Sequence, residues 1–149
     1  MAQTASTTNQ FLRPGQAGHL RVISETVAND SNKTITVTTA RVWQVLAVYA
    51  SLVTTATVGN RLMALIVGDG TNEIYRNAAA NVQVASVTEY YAWLPQVAVP
   101  AETVATFHHL PFPFSYLAGG STLQVYDNAA IDAAADDLTI NMLVVEYEG

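Results

Sequence analysis

Between Arg41 and Gly68 the chain reads RVWQVLAVYASLVTTATVGNRLMALIVG, a run in which apolar positions outnumber polar ones in either phase of a two-residue repeat. Its Val, Thr, Tyr and Trp content suits a pleated surface and predicts strands rather than a helix. The Val58-Gly59-Asn60 step predicts a turn, so the run reads as a β-hairpin. Counted by twos, Val42, Gln44, Leu46, Val48, Ala50 and Leu52 share one face of the first strand. Trp43, Val45, Ala47, Tyr49, Ser51 and Val53 share the other. Both faces are apolar, whereas an antiparallel sheet commonly wets one of them. The expectation is cover from a second layer and then from another copy of the chain, with Trp43, Val45 and Tyr49 at the contact. The same pattern also fits the central strand of an isolated sandwich. A bilayer-spanning helix of about 20 residues fits poorly, because Gln44, Ser51 and the threonines dilute the stretch.

Other segments extend the β pattern. His19 to Val27 reads as a short strand, and Lys33 to Thr39 alternates with Ile35 and Val37 on the inner side. Asp69-Gly70-Thr71-Asn72 marks a tight turn into Glu73 to Asn77, and Val82 to Leu94 alternates as one long strand. Pro95, Pro100, Pro111 and Pro113 keep the following region out of a central strand. Thr122 to Tyr126 and Leu138 to Glu148 are strands, and the alanine-rich stretch from Asp127 to Asp137 is a loop with at most a short helix. About eight strands result, which predicts an all-β antiparallel sandwich or barrel. Long strands near both ends of the chain suit a jelly roll, in which terminal strands lie side by side. The domain spans 19–149, and 1–18 forms a flexible N-terminal arm whose anchor is Phe11, Leu12 and Arg13. A frayed terminus and an arm lying on a neighbouring surface are both open for it.

Composition narrows the function. Charged residues make up 12% of the 149, half the roughly 25% of ordinary soluble domains, and 50% are hydrophobic. Little charge is available to solvate a large free surface, a second pointer to contact with protein. A net charge of −6 and scattered basic residues speak against nucleic acid. The chain contains no cysteine, which removes disulfides and thiolate chemistry. MAQTASTTNQ has neither the basic start nor the apolar core of a signal peptide, so assembly in a cytoplasm is expected, with no membrane partner.

Candidate chemistry is sparse. His108 and His109 are adjacent, so an extended chain points them to opposite sides, away from a shared metal. Asp127, Asp132, Asp136 and Asp137 lack the ligand spacing and central glycine of a calcium loop and read as solvated charge. Gly68-Asp69-Gly70 belongs to a turn rather than a phosphate cradle, and no serine sits in a nucleophile elbow. The reading is a non-enzyme without a cofactor. Arg61, between apolar strands, is the polar residue that stands out: a partner of Glu89 or Asp127 at a subunit boundary, or a rim arginine.

Arg41-Val42-Trp43, Val58-Gly59-Asn60-Arg61, Ala85-Ser86-Val87-Thr88-Glu89-Tyr90, and Asp136-Asp137-Leu138-Thr139-Ile140 through Glu146-Tyr147 resemble small virion structural proteins of tailed bacteriophages. The similarity spans about Arg41 to Gly149 and rests on fold-forming positions. It implies a jelly-roll subunit of the virion, a trimeric capsid decoration (cement) protein bound to the major capsid protein on the capsid surface. In that setting Phe11, Leu12 and Arg13 would bind the shell, and Trp43, Val45, Tyr49 and Arg61 would form the oligomer contact. The alternative is a fibre, tail-tip or baseplate module that binds a host-surface glycan or protein through Tyr90, Tyr91 and Trp93 or through His108 to Tyr116.

Overall fold

The computed structural model describes residues 17–27, 29, 32–95, 106–114, 116–128, 131–132 and 134–149. Ten strands and no helix lie among them: β1 (His19–Glu25), β2 (Lys33–Thr36), β3 (Arg41–Val53), β4 (Met63–Gly68), β5 (Glu73–Ala78), β6 (Thr88–Leu94), β7 (Phe107–Pro111), β8 (Leu117–Ala118), β9 (Thr122–Asp127) and β10 (Asp137–Glu148). They form two sheets. The larger has the order β1-β10-β3-β6-β7, with β8 also paired to β3, and the smaller has the order β2-β9-β4-β5. All pairs are antiparallel except β6 with β7, which run parallel. The all-β sandwich expected from the pattern is therefore present. As the long terminal segments suggested, β1 and β10 lie side by side, paired from His19↔Glu146 to Glu25↔Ile140.

The pairings nest. β4 pairs with β5, β3 with β6, β2 with β9 and β1 with β10, as if one long hairpin with its tip at the β4–β5 turn had been wrapped into two layers. That tip is the predicted tight turn, where Asp69 Oδ1 accepts the N–H groups of Thr71 (2.8 Å) and Asn72 (2.7 Å). Gly70 supplies the positive φ of 94° that the turn requires.

Side chains from both sheets fill the space between them. Trp43, Val45, Val48, Ala50 and Leu52 of β3 and Leu138, Ile140, Met142 and Val144 of β10 meet Met63, Leu65 and Val67 of β4 and Leu123 and Val125 of β9. Each fully buried large aliphatic contributes about 1.5–3 kcal/mol, so these alternating positions, rather than any single bond, hold the layers together.

Three expectations are corrected. The Arg41–Gly68 run is not a hairpin: β3 and β4 belong to different sheets, and 54–62 crosses between them. Polar side chains hold that crossing in place. The Thr54 hydroxyl donates to the Val84 carbonyl (2.8 Å) and accepts the Val87 N–H (3.1 Å). Second, β6 starts at Thr88, not Val82. Residues before it are drawn to the crossing by the Arg61↔Gln83 bridge, and Ser86 turns the chain with φ at 59°.

Third, the two faces of β3 are not those that a strict count by twos gives. Its register with β10 shifts between Val144↔Val45 and Leu143↔Ala47, leaving Leu46 as the extra residue of a bulge. Trp43 and Val45 point inward before the bulge, and Val48, Ala50 and Leu52 after it. One inward face has changed phase midway, so a strict count by twos spreads its residues over both faces.

Candidate interaction surface

The register of the large sheet also fixes what it turns to solvent. Leu20, Val22 and Ser24 of β1 lie opposite Val145, Leu143 and Asn141 of β10. Beyond them β3 offers Ala47, Tyr49, Ser51 and Val53, β6 offers Thr88 and Tyr90, and β7 offers Phe107 and His109. Asp137, opposite Val53 at the start of β10, puts one carboxylate at the end of this face; none of the others carries a carboxylate, ammonium or guanidinium group. The β1–β10 half is aliphatic and the β3–β6–β7 half is aromatic. In the latter, ring centroids are separated by 6.1 Å (Tyr49–Tyr90), 6.0 Å (Tyr90–Phe107) and 4.9 Å (Phe107–His109). Burial, and then the neighbouring Tyr90, push the Tyr49 phenol up, so it stays a neutral hydrogen-bonding group.

A sheet face with a single carboxylate at its end that combines exposed aliphatics with half-buried aromatics has the composition of a protein contact, where charge is depleted and aromatics are enriched. It presents no converging nucleophile, acid and base.

Rigidity comes from a polar clamp at one end of the sandwich. Arg61 and Asp136 are both fully buried and paired in a forked contact, Nε to Oδ2 at 2.8 Å and Nη2 to Oδ1 at 3.2 Å. Arg61 Nη1 also donates to the carbonyls of Thr57 and Gly59, both at 3.0 Å. Asp136 Oδ1 accepts the Thr55 N–H at 2.7 Å, while the Thr55 hydroxyl donates to Asp132 (2.8 Å). Burial pushes the Asp136 carboxyl up, but the bonds from Arg61 and Thr55 outweigh it and hold it below the usual carboxylate range. Gln83 extends the brace, donating to the Leu52 carbonyl (2.7 Å) and accepting from the Tyr91 hydroxyl (3.0 Å).

The residues singled out in the sequence fall in different places. Phe11, Leu12 and Arg13 lie outside the described residues. Trp43 and Val45 are core, 2% and 1% exposed, and Trp43 Nε1 donates to Glu146 (2.8 Å). Arg61 is neither a rim arginine nor a partner of Glu89 or Asp127, since its carboxylate is Asp136. With almost no accessible area, Trp43, Val45 and Arg61 can shape a contact only from within the subunit. Tyr49 alone of the four proposed oligomer-contact residues reaches the surface, half-buried on the large sheet.

Of the loop aromatics, Tyr91 and Trp93 are buried in the core, and Tyr90 faces outward. His108 pairs with Glu89 at 2.8 Å and stacks on Tyr91, whereas His109 joins Phe107 on the outer face. The opposite pointing expected of the two histidines is thus observed. Sequence reasoning missed Asp136 because it sits in an acidic, alanine-rich stretch that composition reads as solvated. It missed Leu20 and Val22 because a short terminal strand gives no sign of which side stays open.

Among the described residues, no group of three His, Cys, Asp or Glu side chains could hold a metal ion. No described helix is long and apolar enough to cross a membrane. No protein-family model matches the chain, and comparison with curated proteins finds no match. Among solved structures, a chain of turnip yellow mosaic virus aligns with all of this chain and 89% of its own length, at 8% identity and a TM-score of 0.43. A likeness at that level carries no argument about function.

Proposed function

We propose that this protein is a non-enzymatic structural subunit of a virus particle: a homotrimeric decoration protein of jelly-roll type that binds the outer surface of a phage head. The observation that carries the reading is the outer face of the large sheet, whose one carboxylate, Asp137, sits at its end and whose remaining aliphatic and aromatic positions suit burial against protein. The nested strand pairing supports the jelly-roll assignment, because a wrapped long hairpin is the path such a fold follows. The resemblance noted at Arg41-Val42-Trp43 and at the C-terminal strand supports the virion assignment.

In this reading, subunits assembled in a host cytoplasm associate through the large sheet, with Tyr49 in the contact. Phe11, Leu12 and Arg13 fasten the trimer to the major capsid protein. Closed three-fold association uses two different patches per subunit, so each ring is self-limiting. The added contact area across capsomer boundaries raises the barrier to bursting. Light scattering on the purified chain is expected to give the mass of three subunits, and the protein is expected to co-sediment with undecorated capsids. A stable monomer that ignores capsids overturns the proposal.

A second reading, a fibre, tail-tip or baseplate module that binds a host-surface glycan, draws on the Tyr49–Tyr90–Phe107 cluster at the surface. Retention of the protein on immobilised host glycans, lost in Tyr90→Ala without a change in oligomer mass, would favour it over decoration.

A further inference from the structure

The two sheets have four edges, and they are not equally guarded. β7 ends in Pro111, which cannot donate to a new neighbour. β2 is only four residues long, and its Lys33 is buried, donating to the Val27 carbonyl and to Asn29. β5 is broken by a bulge opposite Val67 and Gly68 and carries the Glu73–Arg76 ion pair. Proline, shortness, bulges and charge are the usual means of blunting an edge.

β1 has no proline and no bulge and is longer than β2, β5 or β7; its charges are Arg21 and, at its end, Glu25. It runs for seven residues, pairs along its whole length with β10 on one side, and among the described residues ends the sheet on the other. Leu20 and Val22 are 67% and 68% exposed, and the one cation, Arg21, is already held by Glu146 at 2.6 Å.

We propose that the open edge of β1 pairs antiparallel with β1 of a second copy of this chain, across a two-fold axis at Val22. His-Leu-Arg-Val-Ile-Ser-Glu is self-complementary in that register. All seven residues overlap, Val22 meets its own mate, Leu20 lies opposite Ser24, and His19 at one end faces the carboxylate of Glu25 at the other. Moving the axis by one residue to Arg21, a two-residue slip of one strand, would set Arg21 against Arg21, a like-charge pair that destabilises. The pairing satisfies the N–H and C=O groups of the edge and joins the aliphatic halves of two faces into one surface. It stands on the strand edge and does not depend on the virion reading. In a trimeric protein it would link two rings.

Because the chain contains no cysteine, engineered thiols report the geometry without background. Directly opposed Cβ atoms lie about 4.5–5.5 Å apart, near the span a disulfide bridges. Val22→Cys is therefore expected to give a disulfide-linked dimer on mild oxidation. Leu20→Cys, equally exposed but about 13 Å from its own mate, is expected to give at least tenfold less. A mixture of Leu20→Cys with Ser24→Cys is expected to cross-link where neither does alone, a test that needs no change at Val22.

Equal cross-linking of Val22→Cys and Leu20→Cys, or none in any of the three, overturns the inference. Solution mass separates it from the proposed function. Six chains falling to three in Val22→Lys supports both, and two chains falling to one supports the edge pairing alone. Three chains unaffected by Val22→Lys supports the trimer and overturns the edge pairing, and one chain overturns both.

Discussion

The two outward faces of the sandwich are built to the same β pattern and finished differently. On the small sheet, Thr34 and Thr36 lie opposite Gln124 and Thr122, Gln124 Nε2 donates to Thr34 (2.8 Å), and Arg76 bonds Glu73 (2.6 Å) while resting on the Tyr126 ring. On the large sheet the corresponding positions are Leu20, Val22, Leu143, Val145 and an aromatic cluster, and the one carboxylate, Asp137, lies at the end of the face. The chain's low charge content is thus not spread evenly. One face mixes polar and charged groups with Ile66 and Ile74, close to the polar-out rule of a half-wet antiparallel sheet, and the other departs further from it. The lesson is that overall charge density is a weak guide to an interface, and its distribution between faces a strong one.

The largest effect should come from the element both faces stand on. Arg61→Ala strips Asp136 of its partner and leaves the Thr57 and Gly59 carbonyls without their donor. Breaking a buried pair from one side costs about 3–5 kcal/mol, a large share of the 5–15 kcal/mol typical of a domain. Urea unfolding is expected to show that loss, and Arg61→Met combined with Asp136→Leu to recover much of it. If Arg61→Ala unfolds like the parent chain, the clamp does not brace the sandwich.

Next in size are substitutions that break the contrast between faces. Leu143→Lys puts a charge on the large sheet, and Thr122→Lys puts one on the small sheet. Leu143→Lys is expected to weaken self-association at least tenfold, about 1.4 kcal/mol, as read by mass against concentration. Thr122→Lys should leave the mass unchanged, and equal responses would remove the distinction.

How much of this was legible follows from period and charge. The strands expected over Lys33–Thr39 and Thr122–Tyr126 are present as Lys33–Thr36 and Thr122–Asp127, because polar residues interrupt the apolar ones every second position. The bulge at Leu46 left no mark, since Val45 to Val48 is apolar throughout and a phase change inside such a run is silent. Val58-Gly59-Asn60 has hairpin chemistry, but the crossing it belongs to is set by Arg61 and Thr55 reaching Asp136 in a distant loop. Local turn signals carry no information about such a contact. The surface itself was half visible: Tyr49 was picked out, but Leu20 and Val22 emerge only once β1 is known to end a sheet.

Acid should act through carboxylates beneath the faces. For Asp136, burial raises the pKa and the bonds from Arg61 and Thr55 lower it further than that. For Glu146, burial likewise raises it, and the bonds from Trp43 and Arg21 prevail. A depressed native pKa contributes stability that is present above the unfolded value, near 4, and lost as pH falls through the native value. Urea midpoints are therefore expected to be flat from neutral pH down to about 5 and to fall below about 4. Asp136→Asn, already lacking one of the two charges, should start lower and show a shallower acid limb. A parallel acid limb would place the titration elsewhere.

The smallest effect is expected where charge is most visible. Arg76 bonds both oxygens of Glu73, contacts the Tyr126 hydroxyl and lies 5.4 Å from that ring's centroid. Glu73 and Arg76 hold each other's protonation, with the Glu73 carboxyl below its ordinary range. Yet both side chains remain about half in water, where an ion pair gains little over its separate hydration and is screened by salt. Arg76→Ala should therefore leave the urea midpoint and the oligomer mass within measurement scatter at ordinary ionic strength. A clear drop in mass would mean that the small sheet also meets a partner, and the contrast between the two faces would have to be given up.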